Sequence, residues 1–140
     1  MAKRLYPPVL GGTLPSCYEY PEGTVSMAVP FSMNKTVGSE DIGSFMIRVK
    51  TTSTDRLVIE QEVPKQGIID TMFSTLKVSL PAAPFHHYAI GTFFKVQLAY
   101  KHKIDGTVGY YSSLAIIKYT SKPEVTISSL NLATVNMDQT

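Results

Sequence analysis

The sequence has no tryptophan and a single cysteine, Cys17. Neither an intrachain disulfide nor a cluster of thiolate ligands is open to it, so the fold must rest on its core. Charge is also sparse: 17% of residues are charged, against roughly 25% in an average soluble domain. The formal net charge is only +2, and the lysines and arginines are scattered. With no basic stripe to follow phosphates, nucleic acid is not expected as a partner. No segment approaches the roughly 20 apolar residues of a membrane span. The start, MAKRLYPPVLGG, carries basic residues but lacks the apolar run of roughly 7 to 15 residues that a secretory signal needs. The expectation is a chain made in the cytoplasm, with no membrane partner, that leaves a cell only by means other than its own signal.

Recognisable catalytic signatures are missing as well. There is no glycine-rich phosphate loop, no Gly-x-Ser-x-Gly elbow and no His-Glu-x-x-His. Cys17 has no histidine near it in sequence and reads as a small buried hydrophobe. His86 and His87 are adjacent, which points them to opposite faces of an extended chain and away from a shared metal. His102 reads as a solvated strand end. Asp41, Asp55, Glu60, Glu62, Asp70 and Asp105 fall in loops or at outward strand positions, where a surface role is the default. The lack of tryptophan weakens a sugar-binding platform for paired carboxylates. No catalytic, cofactor-binding or metal-ligating residue is assigned, and neither enzymatic activity nor a cofactor is expected.

What the sequence has is alternation. In 91–120, Phe94, Val96, Leu98 and Tyr100 alternate with Lys95, Gln97, Ala99 and Lys101, the period of a half-buried strand. Asp105-Gly106 supplies a turn, and the apolar run beyond Gly109 brings the chain back as a hairpin. An isolated hairpin is marginal in water, so other strands must cover it. Val25, Met27, Val29 and Phe31 alternate through Thr24–Ser32, with Pro30 on the opposite face suggesting an edge position or a bulge. Strands follow at 44–51, at 56–63 and through Leu76, Val78 and Leu80, closed by the Pro-Ala-Ala-Pro turn at 81–84. Residues 67–74 are ambiguous between extended chain and one helical turn. With a weak strand at Val9 and Leu10, the count is about seven, and the expected fold is an all-β antiparallel sandwich.

At 140 residues one domain with a real core is expected. Its bounds are an extended, proline-rich arm over 1–22, the sandwich over 23–120, and a tail over 121–140. That tail is either a frayed end or last strand, or a linker opening a further domain. Of the consecutive Tyr110 and Tyr111, one is expected in the core and the other exposed as a potential partner anchor.

Two resemblances follow from particular stretches. The hairpin FFKVQLAYKHKIDGTVGYYSSLAIIKYTSKP resembles the last two strands of fibronectin type III domains, with its aromatic-x-Val-x-Leu rhythm, glycine-containing turn and return to a proline. Phe94 stands where that family commonly has a tyrosine bonding across the strand corner, so that bond is not made; a broader immunoglobulin-like sandwich is the variant reading. The start, LYPPVLGGTLPS followed by TVSMAVPFSMNKTV, is similar to the beginnings of bacteriophage and prophage minor structural proteins. This resemblance implies a non-enzymatic virion component of a tail, neck or baseplate, assembled in the host cytoplasm. Its expected partners are other virion proteins and copies of itself. The alternative is a carbohydrate- or receptor-binding adhesion module at a host surface, using loops 33–43 and 53–56 with an exposed tyrosine.

Overall fold

A computed structural model of the chain describes residues 4–33, 37–65 and 74–122. The ambiguous stretch 67–73 and most of the tail lie outside the described residues, as do 34–36 of the first loop. The strands are β1 (Val9–Leu10), β2 (Cys17–Glu19), β3 (Thr24–Ser32), β4 (Ile42–Thr51), β5 (Leu57–Pro64), β6 (Ser74–Pro81), β7 (Phe93–His102) and β8 (Ala115–Thr120), with 3-10 turns at Ser39–Asp41 and Ala83–His87. The protein is all-β, as the alternation implies.

The strands form two ladders. In one, β3 pairs with β6 on one side and with β1 and β2 on the other; in the other the order is β5-β4-β7-β8. Every named pair is antiparallel except β2 with β8, which is parallel and joins the two ladders. The buried sets predicted by period two are those that face inward: Val25, Met27, Val29 and Phe31 of β3, Phe45, Ile47 and Val49 of β4, and Phe94, Val96, Leu98 and Tyr100 of β7. Phe31 and Phe45 belong to strands that do not pair, yet their rings meet edge to face with centroids 5.5 Å apart. That contact puts side chains of the two ladders into one core. Burying each such side chain contributes about 1.5–3 kcal/mol, offset by the cost of ordering it.

Pro30 lies at an edge only locally. It sits in an internal strand, opposite Thr75, in a ladder with no register shift. The strand tolerates it because β2 reaches only Val25 and Ser26 and β1 only Phe31 and Ser32, so neither needs an N–H from Pro30.

The hairpin is present but less regular than its sequence. Regular β7–β8 pairing covers only Phe93–Val96 against Ala115–Lys118. The Asp105-Gly106 turn forms: Gly106 has φ 73°, His102 N donates to Thr107 O at 2.8 Å, and Thr107 N donates to Asp105 Oδ1 at 3.0 Å. Beyond it the chain is diverted. The Ser112 hydroxyl takes the place of a ladder carbonyl, accepting from Leu98 N at 3.0 Å. The stretch Leu5 to Thr13 explains the diversion, because Tyr110 N donates to Leu5 O and Ile116 N to Gly12 O. The amino-terminal arm is therefore extended but sewn into the sheet, and it places Leu14 and Cys17 in the core.

At the opposite end the Pro-Ala-Ala-Pro stretch leads into a 3-10 turn that buries Phe85. Phe85 and Tyr88 meet the Phe94 ring edge to face, with centroids 5.5 and 5.2 Å away. This aromatic packing fills the core at that end.

Candidate functional site

The residues weighed for chemistry in the sequence are dispersed by the fold. Cys17 is fully buried, and burial pushes its thiol up to about 11, which makes it inert rather than nucleophilic. His86 and His87 lie in the 3-10 turn instead of on an extended chain, and they still diverge. His86 Nε2 meets Glu19 Oε1 at 2.9 Å, while His87 lines a surface cleft. His102 ends β7, where its Nδ1 accepts from Ile104 N. Among the described residues no three His, Cys, Asp or Glu side chains converge as metal ligands.

The acids are held by local partners. Glu62 accepts from Ser44 Oγ at 2.7 Å and Lys101 Nζ at 3.0 Å, and these bonds hold its carboxyl below the usual range. Asp55 is 2.6 Å from Lys95 Nζ and 3.9 Å from Lys50 Nζ, which lowers its carboxyl likewise. Glu60 is reached by Arg48 Nε and by the Tyr111 hydroxyl. Asp41 closes the first 3-10 turn, Asp105 the hairpin, and Asp70 lies outside the described residues.

Neither tyrosine of the pair enters the core. Tyr110 is 47% exposed, with the Arg4 guanidinium 4.2 Å from its ring centroid and Tyr6 beside it. Tyr111 lies half-buried across the outer face of β4 and β5, its ring 3.7 Å from the Arg48 guanidinium. Ser112 takes the inward position instead, because the diverted strand needs its hydroxyl there.

Sequence reasoning missed the feature that topology creates. On one side the sheet is closed, since β2 lies between β3 and β8. On the other, β5 pairs only with β4 and β6 only with β3 among the described residues. The two strands approach each other there without a ladder, and Gln61 Nε2 of β5 donates to Ser79 O of β6 at 3.2 Å. This is an open seam.

Near the start of β5 the seam widens into a cleft of about 640 Å³, lined by Arg56, Leu57 and Val58 on one wall and by Pro84, His87 and Tyr88 on the other. The register shifts here: Val49 pairs with Ile59 and Lys50 with Leu57, so Val58 is an extra residue. Such a bulge bends the strand and re-aims its side chains. The turn before it is tightly built. Thr51 N donates to Arg56 O at 2.8 Å, Arg56 N donates to Thr51 Oγ1 at 2.9 Å, and Asp55 adopts φ 57°. Chemically the seam and cleft offer backbone groups, an apolar wall and two basic side chains.

Neither a protein-family model nor a curated protein matches the chain.

Proposed function

We propose that the protein is a non-enzymatic interaction module that docks onto neighbouring subunits of a larger assembly through the free edge of β5. The setting is the virion of a bacteriophage, as the resemblance of the amino-terminal half implies. The observation that carries the docking reading is the open seam. An eight-residue edge strand offers a row of backbone donors and acceptors, and such an edge is a template for an added strand unless something covers it. The strand orders β1-β3-β6 and β5-β4-β7-β8 support the immunoglobulin-like part of the reading, since the two sheets of that fold set their strands out in this way. Particles purified from lysates of producing cells and imaged at side-chain resolution are expected to hold the chain with β5 against a neighbour. Particles that lack the chain, or that hold it by other faces only, overturn the proposal.

A second reading, a carbohydrate- or receptor-binding module, draws on a different observation. Tyr6 and Tyr110, both about half exposed, form with Arg4 a small aromatic and cationic platform. Sugars and receptor loops favour surfaces of this composition. Glycan-array binding that disappears in Tyr110→Ala favours this reading over docking; an empty array removes its glycan half.

A further inference from the structure

The cleft at the end of the seam is electrostatically one-sided. Arg56 and His87 line it, and none of its lining residues carries a carboxylate. The acid beside Arg56 in sequence, Asp55, is already shared by Lys95 and Lys50. The Arg56 guanidinium makes no ion pair or hydrogen bond among the described residues. Its backbone, by contrast, is fixed at both N–H and C=O by Thr51. The fixed backbone spares the loop's own ordering cost on binding, while the side chain stays free to reach a ligand. Leu57, 50% exposed, stands next to it with Pro84 and Tyr88 across the gap, so an apolar surface adjoins the charge.

We infer that the cleft receives a carboxylate side chain adjoining an apolar one, both carried by an extended segment of a different protein that pairs with β5 beyond its bulge. The inference rests on the docking reading and adds the chemistry that selects the partner. Arginine favours carboxylates because its planar fork donates two parallel hydrogen bonds to one group. The two carboxylates on a second copy's β5 are already held within their own chain. Glu60 is engaged by Arg48 and Tyr111, and Glu62 by Lys101 and Ser44. The period of a strand places alternate residues of the incoming segment on one face, so an apolar residue two positions from the acid meets Leu57 and Tyr88.

The test uses the full chain and amidated, fluorescein-labelled ten-residue peptides of alternating valine and threonine. One set carries an aspartate at successive positions and the other an asparagine. Anisotropy reads affinity, and amide exchange at Glu60 and Glu62, whose N–H groups face away from β4, reads edge pairing. The best aspartate peptide is expected to bind about tenfold tighter than its asparagine twin, the equivalent of one charge-assisted bond. In Arg56→Ala, whose side chain is outside the core, the ratio is expected to fall to about one, with edge protection retained. Edge protection without discrimination overturns the inference and leaves the docking reading standing. Absence of protection with every peptide overturns both. Self-association of the free chain through β5, read by sedimentation, puts a second copy in the seam and overturns the inference alone.

Discussion

Gln61 Nε2 of β5 donates to the carbonyl oxygen of Ser79 in β6, 3.2 Å away, across the side of the sheet that no ladder closes among the described residues. One exposed side-chain bond contributes little, roughly 0.5–1.5 kcal/mol. Its larger effect is to occupy the seam. Gln61→Ala is expected to lower stability to urea by no more than about 1 kcal/mol while raising self-association in sedimentation velocity, because an uncovered edge recruits strands. A variant that remains monomeric at every concentration shows that the glutamine does not guard the edge.

The seam also marks where the sequence stops being informative. Strands β3, β4, β6 and β7 are legible because each repeats a buried residue every second position, and that period is local. Which strand lies beside which is not local. The parallel step from β2 to β8 depends on Cys17 meeting Tyr119, about a hundred residues on. That neither Tyr110 nor Tyr111 enters the core has the same cause, since the partners of Tyr111, Arg48 and Glu60, come from strands far upstream. The 3-10 turn at Ala83–His87 was hidden by its prolines, which signal a turn but do not reveal that Phe85 goes inward. For the cleft, the available signal was a lone arginine after Asp55, and only the fold shows that the aspartate is spent on two lysines.

Gly109 is required by the passage of the arm. A Cβ there would stand 2.6 Å from Leu5 O and 3.2 Å from Tyr100 O, both backbone atoms. Where the backbone is compatible, Gly→Ala stabilises by about 0.4–1 kcal/mol through the unfolded chain. Here the clash reverses the sign. Gly109→Ala is expected to destabilise by about 1–3 kcal/mol, as overpacking does, and to expose the segment around Leu5 to protease. Unchanged stability and an uncut arm would mean that the arm is not seated against Gly109.

Tyr100 is fully buried, and its hydroxyl has no hydrogen-bond partner among the described residues. Burial without a partner also pushes its phenol above the ordinary range. A buried polar group left unpaired costs about 1–3 kcal/mol. Tyr100→Phe keeps the ring against Phe45 and removes the orphan. The variant is expected to be as stable as the parent or more stable by about 1 kcal/mol, by chemical denaturation. A loss larger than that would show that the hydroxyl is bonded.

Tyr111 ties the outer face of the sheet to alkaline pH. Burial first, and then its hydrogen bond to Glu60, push its phenol up to about 12, while Arg48 opposes the shift. The folded chain thus favours the neutral phenol more than the unfolded chain does, where the ordinary value is about 10. Stability from this tyrosine is complete below that ordinary value and is lost as pH rises through the folded one. Because Tyr111 remains partly exposed, solvent screening keeps the effect modest. Urea midpoints followed from pH 9 to 12 are expected to fall more steeply in the parent than in Tyr111→Phe. Tyr100 also titrates late, but it is present in both proteins, so the difference between the two slopes isolates Tyr111. Parallel slopes would mean that the Tyr111 hydroxyl faces water and does not donate to Glu60.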